Sequence, residues 1–155
     1  MVDNPEYVAN EWNERAMRRT LIAVVAVAVA ATACSGTSVF ELDVGDCFDD
    51  PSNFEEVTNV GVVECTEPHD NEVYANLTVP NESFPGINAM QDTADDICHG
   101  DFNRYVGMAW EESELDYGWL HPTEESWDDG DRIVTCFLYD GNLDKLTRSM
   151  ENSGV

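Results

Sequence analysis

A chain of 155 residues is the size of one domain, and 32 acidic against 7 basic residues give it a formal charge of -25. A surface of that sign repels phosphate backbones and anionic headgroups, so it excludes nucleic acid as a partner and attracts cations or a basic protein. An apolar fraction of 43% with 10% aromatic residues excludes a wholly disordered acidic tail.

The first predicted element is a targeting segment. Residues 1–16, "MVDNPEYVANEWNERA", are acidic, where a signal ordinarily begins with basic charge. From Met17 the pattern is complete. Arg18 and Arg19 form a positive flank, Leu21 to Ala33 is uncharged and mostly apolar, and the small residues Ala31, Thr32 and Ala33 precede Cys34. As a helix the apolar run covers about 20 Å, short of the roughly 30 Å hydrocarbon core, which predicts a secretory signal rather than a permanent span. The segment resembles a bacterial lipoprotein signal, whose cysteine takes a diacylglyceryl group and becomes the mature N-terminus. Ala31 stands where such signals most often carry leucine. The expected organisation is a signal peptide over 1–33 with translation starting at Met17, lipidation (palmitate among the acyl chains) at Cys34, a short tether over 34–38, the domain over 39–150 and a tail over 151–155. A soluble secretory signal cut nearby, a retained anchor helix that begins further upstream, and a long leader that feeds twin-arginine export through Arg18 and Arg19 are the alternatives.

Within the domain, Val39, Phe40, Leu42 and Val44 predict a short strand or extended segment that turns at Gly45-Asp46. Residues 57–65 are β-branched and predict a strand. Residues 71–79 predict another, with Val73, Ala75, Leu77 and Val79 on one face, and the two are expected to form a hairpin across the "TEPHD" turn. From Ile87 to Val106, the residues Met90, Ala94, Ile97, Cys98, Phe102, Tyr105 and Val106 recur at helical spacing, with Gly107 as the stop. His99, Asp92, Asp95 and Asp96 fall off that stripe and are expected in solvent. Residues 114–122 predict a strand ended by Pro122, Thr123 caps one helical turn, and the continuously apolar 132–140 predicts a central strand. Leu143 to Met150 are expected to add an edge strand. The fold class is α+β: a small antiparallel sheet with one main helix packed on one face and two disulfides.

With Cys34 set aside, the remaining cysteines are Cys47, Cys65, Cys98 and Cys136. An even number outside the membrane reads as two disulfides, with three possible connectivities. Local pattern favours Cys47–Cys65, joining neighbouring strands, and Cys98–Cys136, tying helix to strand. Loop closure gives about 3 and about 4 kcal/mol respectively. The same cysteines with His69, His99 and His121 form a zinc alternative, but the close cysteine pairs of zinc sites are missing, and no metal or other cofactor is expected. Cys65, His69 and Asp70 in six residues raise a nucleophile alternative. Pro68 marks a turn there, and His69 with Asp70 is expected to cap it through a side-chain to backbone bond.

No serine-hydrolase elbow, zinc-protease helix, phosphate loop or dinucleotide fingerprint occurs. The acidic groups Asp49-Asp50, Glu55-Glu56, Glu111-Glu112 and Asp128 to Asp131 lack alternating calcium-ligand spacing and are expected as solvated loops. A hydrolase needs two acids of separated pKa in one cleft, and no pair stands out by position. Trp110, Trp119 and Trp127 are expected in core or rim packing, a sugar-binding groove being the alternative.

The stretches "VGDCFDDP", "VVECTEPHDNEVYA", "FPG" and "HPTEESWDDGDRIVTCFLYD" resemble the septum formation family of actinobacterial envelope proteins, from about Leu42 to Met150. The blocks that carry the likeness contain His69 and Asp70, then Trp127, Gly130 and Arg132, with the four cysteines in the same order. His121 stands where an aromatic residue is expected. The resemblance implies an exported, membrane-associated domain linked to division-septum formation, with no established reaction, ligand or catalytic residue. The expected function is a non-enzymatic envelope lipoprotein on the outer face of the cell membrane, an interaction module for septum formation or wall growth. Its expected partners are the membrane, through the lipid, and an envelope protein or wall component. The alternative is a wall-polymer binder or hydrolase using acidic and Trp side chains.

Overall fold

The structure is a computed structural model that describes residues 36–51 and 57–155. The signal segment, Cys34 and the Glu55-Glu56 pair lie outside the described residues. Six strands form one antiparallel sheet: β1 (Thr37–Ser38), β2 (Cys47–Asp49), β3 (Asn59–Val63), β4 (Asn71–Thr78), β5 (Leu115–Leu120) and β6 (Ile133–Asp140). Their order is β1-β3-β2-β4-β6-β5. The main helix, α1 (Ile87–Val106), covers one face, and a short helix, α2 (Glu124–Asp128), follows β5. This is the expected α+β class.

The helix forms where the apolar spacing places it. Met90, Ala94, Cys98, Phe102 and Val106 recur every four residues and are fully buried. Gly107 ends it in the left-handed region (φ 83°), donating its N–H to the Asn103 carbonyl. Beneath the helix, Val134, Cys136 and Leu138 of β6 join Tyr74, Ala75, Leu115 and Trp127 in the main core. The opposite sheet face carries a smaller cluster of Val39, Leu42, Phe48, Val60 and Val73, with Leu120 and Phe137 against it. At Gly118 of β5 the Phe137 ring fills the space a side chain would take: a Cβ would sit 2.7 Å from Phe137 Cζ, so a larger residue would have to displace that ring.

Six local expectations change. Residues 57–65 and 71–79 do not form a hairpin, because β2 lies between them. Phe48 pairs with Val62 on one side and Asn71 on the other. Gly45 (φ 94°) makes the turn that folds β2 back, and the Gly45 and Val73 N–H groups fasten it to β4 through bonds of 2.8 and 2.9 Å. The alternation from Val73 to Val79 breaks because the β4–β6 register shifts between Val73 and Ala75, leaving Tyr74 as the extra residue. Tyr74 and Ala75 therefore both join the helix-side core, while Val73 turns to the other face.

Leu143 to Met150 are not an edge strand. The segment makes one bridge, with His69 and Leu146 exchanging backbone bonds of 3.0 and 2.9 Å, and buries Leu146 and Met150. Expected as tether, Thr37 and Ser38 instead pair with Val60 and Asn59. The expected tail is held too: Asn152 and Gly154 donate to the Tyr105 and Val106 carbonyls, and Ser113 Oγ donates to that of Val155. Val39 to Glu41, expected as extended chain, form a single helical turn capped by Ser38.

Candidate functional site

The histidine block is built as a clamp. Cys47 is bonded to Cys65 with Cα atoms 5.2 Å apart, and Cys98 to Cys136 at 5.5 Å. These are the two pairings that local pattern favours. Glu67 N–H donates to the Glu64 carbonyl, closing the turn after β3, and His69 Nδ1–H donates to the Glu67 carbonyl at 2.8 Å. The imidazole is fully buried and its Nε2 meets no hydrogen-bond partner among the described residues. Asp70 accepts from the Asp50 N–H at 2.9 Å and from Lys145 Nζ at 2.7 Å. Burial pushes the Asp70 carboxyl up, but the Asp50 N–H and Lys145 outweigh it and hold the group below its usual value.

Next to this clamp lies a residue that sequence reasoning missed. Glu72 is fully buried and accepts from Tyr105 Oη (2.7 Å), Ser149 Oγ (2.5 Å) and Met150 N–H (2.7 Å). It joins β4, the helix and the C-terminal segment around Ser149 and Met150, and the signal for it was a single acid within an otherwise uncharged strand. Burial and the Glu72 carboxylate both push the Tyr105 hydroxyl above its ordinary pKa. Glu72 also lies near the Cys47 and Cys65 sulfurs, with candidate ligand atoms within 4.8 Å. Those sulfurs are spent on each other, so neither is the thiolate a zinc site requires.

The tryptophan block is structural as well. Thr123 and Ser126 cap α2 reciprocally, side chain to backbone in both directions. Trp127 is buried against Phe84, and the Arg132 guanidinium lies 3.7 Å from a Trp127 ring centroid while donating to the Trp127 and Asp131 carbonyls. Gly130, at φ 100°, makes the turn that brings Arg132 back over the indole.

A group of other aromatic and acidic residues converges elsewhere. An open cavity of about 510 Å³ is walled by His99, Trp110, Tyr117, Trp119 and Tyr139, with Asp95, Asp96 and Asp116 at its rim. Helix α1 supplies Asp95 and His99, four residues apart and thus on one face. Strand β5 supplies Asp116, Tyr117 and Trp119. Trp110 meets Tyr117 edge-on at 5.5 Å and His99 at 5.6 Å. Tyr117 Oη donates to Asp95 (2.7 Å), Trp110 Nε1 to Asp116 (3.1 Å), and His99 Nε2 contacts Glu111 at 3.2 Å. Burial first, then Asp95, raises the Tyr117 pKa. Burial first, then Asp116, raises that of Tyr139. His99 and Asp95 are exposed, as expected of residues off the helix's apolar stripe, and they also line the groove. Trp110 and Trp119 are half-buried at its rim, whereas Trp127 belongs to the core.

Strand β5 is the edge of the sheet, and side chains occupy two of its outward donors. Leu115 N–H donates to Ser113 Oγ at 3.0 Å, and Tyr117 N–H to Asp116 Oδ1 at 2.9 Å.

Comparison with protein families settles the kinship. A family model described as septum formation matches residues 44–153. The chain belongs to the septum formation family. No curated protein and no solved structure matches it. The match takes in both disulfides, the His69 clamp, the tryptophan block and the groove, and it links the chain to septum formation. A second cavity of this septum formation domain, about 270 Å³, lies on the other sheet face. Phe48, Val60, Leu120 and Phe137 floor it, with Asp70, Asp140 and Asp144 at the margin.

Proposed function

We propose that this septum formation protein is a non-enzymatic envelope lipoprotein that engages another envelope component through the groove between α1 and β5. The Cys34 signal supports export and anchoring to the outer face of the membrane, and the two disulfides fit an oxidising compartment. One observation carries the recognition reading. The groove's Asp95 and Asp116 already accept from tyrosine and indole donors that belong to its own wall. A carboxylate fixed in that way orients an aromatic surface, whereas hydrolysis needs an acid and a base poised across a bond.

Complementation tests this reading. In cells lacking the gene, the intact chain restores septum placement. Chains with Trp119→Ala or Cys34→Ala do not, and Cys34→Ala also abolishes acyl labelling. Purified protein releases no soluble fragment from envelope polymer. Fragment release that Asp95→Asn and Asp116→Asn abolish would give the molecule to the hydrolase reading.

A further inference from the structure

We infer that the groove takes an arginine side chain of a basic protein segment, the guanidinium lying on the Trp119 and Tyr117 rings and facing the Asp96 and Asp116 carboxylates. This deepens the proposed function and rests on it for the groove's importance in the cell.

Three observations lead to the cation. The cavity of about 510 Å³ is open and is lined by both aromatic side chains and carboxylates. Asp96 lies at its rim exposed, with no hydrogen-bond or ion-pair partner among the described residues. Of the described domain's arginines and lysine, Arg132 lies on Trp127, Lys145 pairs with Asp49 and Asp70, Arg104 pairs with Asp101, Arg148 is exposed, and none of the four lines the cavity. A positive charge over an aromatic face gains from the ring quadrupole, and more so beside a carboxylate.

Arginine fits better than a point charge. Its planar group stacks on a ring while offering forked donors to a carboxylate. The protein already uses this arrangement internally, with Arg132 on Trp127. Strand addition at β5 is the competing mode for a protein partner. It is disfavoured because Ser113 and Asp116 occupy the Leu115 and Tyr117 N–H groups. The net charge of -25 adds long-range attraction for a basic segment.

The test titrates the full-length protein in detergent with a triarginine peptide, a tricitrulline peptide and a glucosamine oligomer, at physiological salt. Triarginine is expected to move the Trp110 and Trp119 indole resonances. Asp96→Asn, at an exposed position that leaves packing intact, and Trp119→Ala should each weaken it about tenfold. The pair Asp128→Asn with Asp129→Asn, remote from the groove, should change affinity by less than about twofold. Equal binding of tricitrulline overturns the cation. An equal loss in the remote pair reduces the effect to net charge. Tighter groove binding of the glucosamine oligomer assigns the site to wall polymer. If Trp119→Ala fails to complement while triarginine leaves the indoles unmoved, the groove keeps its role and the arginine inference falls. If triarginine binds but Trp119→Ala complements, the proposed cellular role falls instead.

Discussion

The two disulfides sit in regions of opposite character. Cys98–Cys136 lies under the helix, both residues fully buried, within a cluster of 15 buried residues. Cys47–Cys65 joins the end of β2 to a surface turn, Cys65 is partly exposed, and the buried cluster of that half of the sheet has 5 residues. The first bridge is embedded in packing that would hold the helix in place anyway. The second stands in for packing that is thin. Around it polar groups do part of the work a core does elsewhere: the His69 turn, the Asp70–Lys145 pair, and Glu72 with its three donors.

This contrast can be broken most severely in the main core. Cys136→Ser leaves a hydroxyl and an orphaned Cys98 thiol in a closed space. It should cost about 2–5 kcal/mol, with the loss appearing as a lower midpoint in denaturant. Glu72→Ala comes next. It strands a buried backbone N–H at Met150 and leaves a half-buried tyrosine hydroxyl and a serine hydroxyl without their acceptor, for a loss of roughly 3 kcal/mol. Because Glu72 holds the C-terminal segment, hydrogen exchange at Met150 and Leu146 should accelerate before the sheet opens. Unchanged protection there would mean that the segment is held by its apolar residues alone.

A gentler probe sharpens the comparison without mutation. Under graded thiol reductant, peptide mapping should find Cys47–Cys65 open while Cys98–Cys136 remains closed, because a thiolate reaches only the partly exposed sulfur. Simultaneous opening of both would erase the distinction. The smallest effect concerns charge. The Asp70 pKa is lowered in the folded chain, so its contribution is present above the ordinary aspartate value of about 3.9 and is lost as pH falls through the folded value. Lys145→Met should therefore lower stability at neutral pH by less than about 1 kcal/mol, since the lysine is half exposed, and the variant should converge with the parent in acid.

Much of the fold was legible because apolar spacing speaks for helices and central strands. Met90 to Val106 gave the helix with its bounds, and 132–140 gave the strand that both neighbours flank. The order of the strands was not, because the short β2 has only Phe48 to place it, and its insertion depends on Gly45 and on backbone bonds to Val73. The bulge at Tyr74 was equally silent, since alternation from Val73 to Val79 reads the same with or without an extra residue. For the site, the favoured cysteine pairs matched, yet the groove was dispersed. Asp95 and His99 come from the helix, Trp110 from the turn after it and Trp119 from a strand, so nothing local brought them together. The clue available was that Asp95 and His99 share a helical face, while Tyr117 and Trp119 share a strand face.

The side-chain plugs on β5 bear on how copies behave when crowded. A bare edge would let one sheet extend into another, the first step toward fibrous aggregates. Here two of the donors such growth needs are occupied, and at the far margin β1 offers two residues of strand. Packed densely, these molecules would meet through their charged side chains, so their mutual spacing should follow ionic strength and their contacts should dissolve on dilution.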